Sequence, residues 1–197
     1  MKLILASQSA ARRQMLEAAG VPFEAVPAEL EEDSAKAGLA AAGFGPRDMA
    51  EMLAELKAKS IAAPADALVL GADQTLELDD GTMLSKPESR EEARDQLRAL
   101  SGRTHRLHSS AVIAESGERA WAATDSVELA VRPLGQAFVE GYLDREYEAV
   151  RWNVGAYRVE GMGAQLFERI EGGHFAILGL PLLPLLAYLR ERGLLPR

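Results

Sequence analysis

The stretch "KLILASQSAARRQMLEAAG" (residues 2–20) changes its period in the middle. The run "LILA" behind Lys2 is continuously apolar and ends at Ser7, the pattern of a short buried strand. From Arg12 onward Met15, Leu16 and Ala19 fall on one helical face, and Gly20 supplies a C-terminal stop. Strand, polar turn and helix together open an α/β unit. The same arrangement can take phosphate, because helix N-terminal N–H groups point outward and the macrodipole adds partial positive charge. Ser7 and Ser9 bring hydroxyls, while Arg12 and Arg13 bring guanidiniums that grip phosphate oxygens bidentately. A capped helix start with surface charge would read the same way, and the segment lacks the glycine run and Gly-Lys-Ser/Thr of a P-loop.

Outward from this unit, "PFEAVPA" (22–28) reads as a second extended piece. The acidic "ELEEDSAK" (29–36) leads into "GLAAAGFG" (38–45), predicted as a mobile loop. Pro46 opens a helix with Met49, Met52, Leu53 and Leu56 at helical spacing. "ALVLGADQTLEL" (67–78) begins as a fully apolar strand and then alternates, and "DDGT" (79–82) turns the chain into "MLSKP". Ser89 caps a helix that carries Glu91 and Glu92 in its first turn and faces Ala93, Leu97 and Leu100 inward. Residues 104–131 form a β-hairpin turning at Ser116-Gly117. A helix spans about 136–143, a strand and turn fall within 163–173, and an apolar helix interrupted early by Pro184 closes the chain over 180–193. Alternating strands and helices give an α/β class with a mixed sheet, since the hairpin argues against a purely parallel one. No repeat or long linker divides residues 1–197, so a single domain with a cleft is expected.

Of the 197 residues, 48% are hydrophobic and 26% charged, an ordinary globular mixture able to bury a core. Cysteine is absent, which excludes disulfides, thiolate metal sites and a cysteine nucleophile. His105, His108 and His174 are too scattered for a zinc cluster. The first apolar run is too short for a signal peptide or a membrane span, so a cytoplasmic protein is expected. A net charge of −8 and the lack of an aromatic-basic stripe disfavour nucleic acid as a partner, but leave room for a locally positive cleft that binds a small polyanion.

Several polar groups could carry chemistry. Asp73 stands in "GADQ" (71–74), where a buried strand emerges and Gly71 and Ala72 leave room for a ligand. The plainer reading is a strand-end carboxylate capping a turn. Glu31, Glu32 and Asp33 form either a charged loop or oxygen ligands for Mg²⁺. Lys57, Lys59 and Lys86 read by default as solvated surface charge. The glycine-rich "GAYRVEGMGAQLFERIEG" (155–172) implies tight turns, and Glu160 within it could accept hydrogen bonds from a guanine edge.

Taken in order, "LASQSAARRQML", "GADQ", "SKP", "LSGRTHRLHS", "VGAYRVEGMGAQLFERIEG" and "ILGLPLLPLL" resemble the Maf-like nucleoside triphosphate pyrophosphatases, from Leu3 to about Leu189. The resemblance implies a highly twisted mixed sheet flanked by helices, with two lobes around a central cleft. It also implies hydrolysis of a nucleoside triphosphate to monophosphate and pyrophosphate with a divalent cation, Mg²⁺ or Mn²⁺. By motif, Ser7, Arg12, Arg13, Lys57 and Lys86 correspond to substrate-binding positions. Glu32 matches the family's acidic position after the second strand and Asp73 its proton acceptor, and both are expected to coordinate the divalent cation. The first motif departs from the common Ser-Pro-Arg-Arg form at Ala10 and Ala11.

Gln74 and Glu160 match the branch similar to 7-methyl-GTP pyrophosphatases rather than the dTTP/UTP branch, which looks like "GADT" with a later Gln. Ala11 departs at a third discriminating position, where a large aromatic could stack on a methylated, cationic purine. The alternatives are a dTTP/UTP enzyme of the same family and a non-catalytic nucleotide-binding regulator of cell division. Exposed apolar residues on the last helix would suit a homodimer.

Overall fold

In the computed structural model, which describes residues 1–196, the chain makes seven strands and seven α-helices. The opening unit is β1 (Lys2–Ala6), α1 (Ala10–Ala18) and β2 (Glu24–Val26), with β2 parallel to β1. Two helices follow, α2 (Glu32–Ala41) and α3 (Pro46–Lys59), and β3 (Ala67–Leu78) then pairs parallel to β1 on its other side. Next come β4 (Met83–Leu84), antiparallel to β3, and α4 (Arg90–Leu100). β5 (Thr104–Glu115) and β6 (Glu118–Val131) flank a two-residue turn in which Ser116 and Gly117 both have positive φ, as a tight hairpin demands. The remaining elements are α5 (Gln136–Val150), short 3₁₀ turns at Val154–Ala156 and Met162–Leu166, β7 (Phe167–Glu171), α6 (His174–Ile177) and α7 (Leu182–Glu191). The sheet runs β2-β1-β3-β5-β6-β7, with β4 off β3 and β7 antiparallel to β6, so it is mixed as expected.

The chain divides into two compact units, residues 1–74 with 109–125 and 173–197, and residues 75–108 with 126–172. In the first, one cluster joins Leu3, Leu5, Leu68, Leu70 and Ala72 to Leu16 of α1 and to Leu182, Leu185 and Leu189 of α7. The alternate residues Ile4, Ala6, Ala67 and Val69 pack on the opposite side with Ala58 of α3. Burial on both sides explains why these strands read as continuous apolar runs. In the second unit α4 packs against α5, and Tyr142, Leu97 and Leu100 are fully buried.

Four expectations need correction. The segment 38–45 is not a mobile loop: α2 extends to Ala41, because alanine is the strongest helix former and outweighs a single interior glycine. The acidic run at 31–33 is accordingly the N-terminus of that helix, where the dipole favours carboxylates. α5 continues to Val150, because Glu146, polar and so invisible to an apolar period, occupies the buried stripe and is paired with Arg158 at 2.8 Å. Pro184 does not interrupt α7, since it sits in the first turn, where its missing N–H breaks no helical bond.

Candidate functional site

The first unit assembles a polar cluster from β1–α1, α2, α3 and β3. Ser9 is the N-cap of α1: its hydroxyl accepts from the Arg12 N–H at 3.4 Å. Ser7 is buried, and its Oγ accepts from the Ser9 N–H at 3.2 Å, which fixes the turn between strand and helix. The N–H groups of Ala10 and Ala11 begin the helix and so have no carbonyl behind them. The structural reading of this turn and the anion-binding reading are therefore compatible.

Arg12 and Arg13, neighbours on α1, leave the helix in different directions. Arg13 is exposed, with Nη2 donating to the Gln8 carbonyl at 3.2 Å. The Arg12 guanidinium turns inward: Nε donates to the Gly179 carbonyl at 2.9 Å and Nη1 to the Ala72 carbonyl at 3.0 Å. Nη1 also lies 3.5 Å from Ser7 Oγ. Desolvation lowers the Arg12 pKa below its ordinary value, opposed by the attraction of Asp73 and then of Glu32. An arginine remains charged through any such shift.

On β3, Asp73 points to the side opposite Gln74, as strand alternation requires. Its carboxylate is buried, with Oδ1 2.5 Å from Lys57 Nζ and Oδ2 without a hydrogen-bond partner among the described residues. Lys57 Nζ also lies 2.8 Å from Glu32 Oε2, and the other Glu32 oxygen pairs with Lys36 at 2.9 Å. One ammonium thus bridges two carboxylates, one from α2 and one from β3. The default surface reading of Lys57 is overturned, because the residue is only 9% exposed. Lys59 keeps a surface pair with Glu55 at 2.8 Å.

Gly71 makes this approach possible. A Cβ there would stand 2.0 Å from the Ala54 carbonyl oxygen and 2.6 Å from the Ala58 nitrogen. The room that glycine leaves is therefore filled by the backbone of α3, not by a ligand, and Lys57 one turn along that helix is carried to Asp73. Sequence reasoning missed this role, as it missed Gly179. At Gly179 φ is +98°, and an added Cβ would lie 3.3 Å from Arg12 Nε.

Of the remaining expected site residues, Ala11 is half-buried on α1. Gln74 donates from Nε2 to Ser109 Oγ at 2.7 Å and to the carbonyls of Ala176 and Ile177 at 2.9 and 3.1 Å. Lys86 and Glu160 belong to the second unit, where both are exposed. The glycine-rich segment that holds Glu160 does make tight turns: Gly155 and Ala156 both have positive φ, and a Cβ on Gly163 would lie 2.3 Å from the Arg158 carbonyl oxygen. Tyr142 Oη donates to the Ala156 carbonyl at 3.3 Å, and Asn153 Nδ2 to that of Tyr157 at 3.0 Å. His105 and His108 are structural here. His105 Nε2 meets Tyr157 Oη at 2.7 Å, and His108 lies between Ser126 Oγ and Glu77 Oε2 at 2.7 and 2.9 Å.

No group of three or more His, Asp or Glu arranged to enclose a metal occurs among the described residues. Two carboxylates with one unmet buried oxygen nevertheless suit Mg²⁺ or Mn²⁺, hard ions that use one or two carboxylates and complete their shell with water and phosphate. No helix among the described residues is long and apolar enough to cross a membrane.

Residues 2–192 match the family described as Maf-like protein. A nucleoside triphosphate pyrophosphatase of Sphingopyxis alaskensis is 50% identical over 198 residues, spanning 100% of both chains. One of Caulobacter vibrioides is 49% identical over 191 residues, 97% of this chain and 96% of its own. A protein of Rhizobium etli named 7-methyl-GTP pyrophosphatase is 48% identical over 193 residues, 98% and 96% of the two chains.

Proposed function

The chain belongs to the Maf-like family and is a nucleoside triphosphate pyrophosphatase, and on that premise we propose that the cluster around Arg12 and Asp73 is its active site. The observation that carries the reading is the convergence, within one compact unit, of an inward-facing guanidinium and a buried carboxylate with an unmet oxygen. An isolated buried acceptor costs about 1–3 kcal/mol, so Asp73 Oδ2 is an acceptor kept for a group that arrives with the substrate.

Hydrolysis places water against a phosphoryl group in a highly anionic chain, so charge must be neutralised and the water aligned. The free N–H groups at the start of α1, the Ser7 hydroxyl and Arg12 would hold phosphate oxygens. Asp73 would orient the attacking water and take up its proton. Lys57 holds Asp73 in place, and Glu32 secures Lys57 from the other side. Glu32 and Asp73 would hold a divalent cation, which supplies charge neutralisation and Lewis acidity when bound. Exposed Arg13 contributes positive potential near the turn rather than a fixed contact.

For the substrate we favour 7-methyl-GTP or a related modified purine triphosphate. Gln74 and Glu160 are the residue types of that branch, and a relative bearing the 7-methyl-GTP name is 48% identical over nearly the whole chain. The test is pyrophosphate release with Mg²⁺ from a panel of ordinary and 7-methylated nucleotides. Asp73→Asn should lower kcat by at least about 100-fold while leaving the fold intact. A variant that kept near-normal kcat would remove Asp73 from the reaction. An unmethylated pyrimidine turned over fastest would overturn the substrate assignment alone.

A further inference from the structure

We propose that Glu146 and Arg158 are positioning residues for Glu160, and that their ion pair tunes which base is accepted without altering the grip on phosphate. This rests on the substrate reading above, with Glu160 as the carboxylate that accepts from the edge of a guanine-type base. Glu146 lies in the buried stripe of α5 between Leu143 and Val150, where a carboxylate needs a partner. Its Oε2 accepts from Arg158 Nε at 2.8 Å, so the arginine side chain is drawn onto the helix.

The turn that carries Glu160 is built on this pair. The Gly161 N–H donates to the Arg158 carbonyl at 3.4 Å, closing a four-residue turn with exposed Glu160 at its third position. A Cβ on Gly161 would lie 2.8 Å from Arg158 Nε and 3.2 Å from Glu146 Oε2, and one on Gly163 would meet the Arg158 backbone. Both glycines therefore let the chain close around Arg158, with its side chain under Gly161 and its carbonyl against Gly163. The entry to the turn is pinned separately by neutral groups, Tyr142 Oη on the Ala156 carbonyl and Asn153 Nδ2 on that of Tyr157. The Arg158 pKa is raised, chiefly by the Glu146 hydrogen bond and to a lesser extent by the charge of Glu160. Two carboxylates thus act on one guanidinium: Glu146 makes the hydrogen bond, and Glu160 stays exposed. Loss of the Glu146 anchor would release the floor of the turn and move Glu160, while the phosphate-binding groups of the first unit stay as they are.

The experiment measures kcat/KM for GTP, 7-methyl-GTP, dTTP and UTP with Mg²⁺, and inhibition by inorganic tripolyphosphate, which has no base. Glu146→Met removes the acceptor at similar volume and should lower kcat/KM for the two purines roughly 10-fold. The two pyrimidines and tripolyphosphate inhibition should change by less than about 2-fold. Gly161→Ala, whose Cβ would displace the pair from above, should give the same pattern and serves if Glu146→Met does not fold. Glu146→Gln keeps an oxygen that accepts from Arg158 Nε and should stay within about 3-fold of the parent. In a Glu160→Gln background, Glu146→Met should cost less than about 2-fold more. An equal loss for every nucleotide and for tripolyphosphate would make the pair merely structural and overturn the proposal, as would an undiminished effect in Glu160→Gln. So would an unchanged base ranking in Glu146→Met and Gly161→Ala while Glu160→Gln re-ranks the bases. The reading of Glu160 fails separately, if Glu160→Gln itself leaves the ranking at parent values.

Discussion

Replacing Lys57 by methionine isolates the electrostatic centre of the site. The side chain has nearly the same volume, so packing of α3 against β3 survives, but the ammonium that bridges Asp73 Oδ1 and Glu32 Oε2 at 2.5 and 2.8 Å is lost. Asp73 is then a carboxylate with a side chain 5% exposed, facing a second carboxylate with no cation between them. Removing one partner of a buried ion pair costs about 3–5 kcal/mol, because the other charge is left uncompensated. In a chain of this size each kcal/mol moves the melting temperature by about 2–4 °C, so Lys57→Met should melt about 6–20 °C below the parent in metal-free buffer. A divalent ion offers the missing charge. At a concentration 100 times its Kd, Mg²⁺ would restore about 2.7 kcal/mol and raise the melting temperature of the variant far more than that of the parent. Adding Asp73→Asn should recover much of the loss without metal, by removing the stranded charge. The assay is thermal melting of parent, single and double variants, with EDTA or with Mg²⁺. Equal melting of parent and Lys57→Met, with identical metal responses, would refute both the buried ion pair and the cation seat.

Two other consequences follow from packing and burial. Gly71→Ala should destabilise by about 3 kcal/mol or more and depress turnover, since its Cβ would overlap the backbone of Ala54 and Ala58 and push Lys57 away from Asp73; circular dichroism melts and pyrophosphate release check both effects. His105 is buried, and desolvation pushes its pKa down to about 4, so it stays neutral in the folded chain while the unfolded chain takes a proton below about pH 6.5. Its contribution is complete above pH 6.5 and is lost as pH falls towards 4, by roughly 3 kcal/mol in all. Urea unfolding across that window should therefore show a steeper loss for the parent than for His105→Gln.

How much of this was legible beforehand depended on whether the signal was local. The β1–turn–α1 unit, the hairpin at Ser116-Gly117 and the Ser89 cap are set by nearest neighbours, and all stand where period and turn chemistry put them. The α2 helix was obscured because Gly38 and Gly43 flank alanines, so composition suggested flexibility where propensity favoured helix. The site behaved likewise. Asp73 could be suspected from its place at the end of a buried strand, but Lys57 on an amphipathic helix looks like any surface lysine, because nothing local says that α3 lies against β3. The clue was Gly71, present in the sequence and taken for space around a ligand. A glycine two residues before a strand carboxylate marks the same face of the strand, and its missing side chain lets a helix backbone descend close enough for a lysine to reach that carboxylate. Gly179 works by a related logic on the other side of β3, where φ of +98° strains any side chain and a Cβ would press on the Arg12 guanidinium at 3.3 Å. Both glycines act by what they omit. The catalytic groups are legible as residue types, and the positions that bring them together become legible only once the helices have been packed.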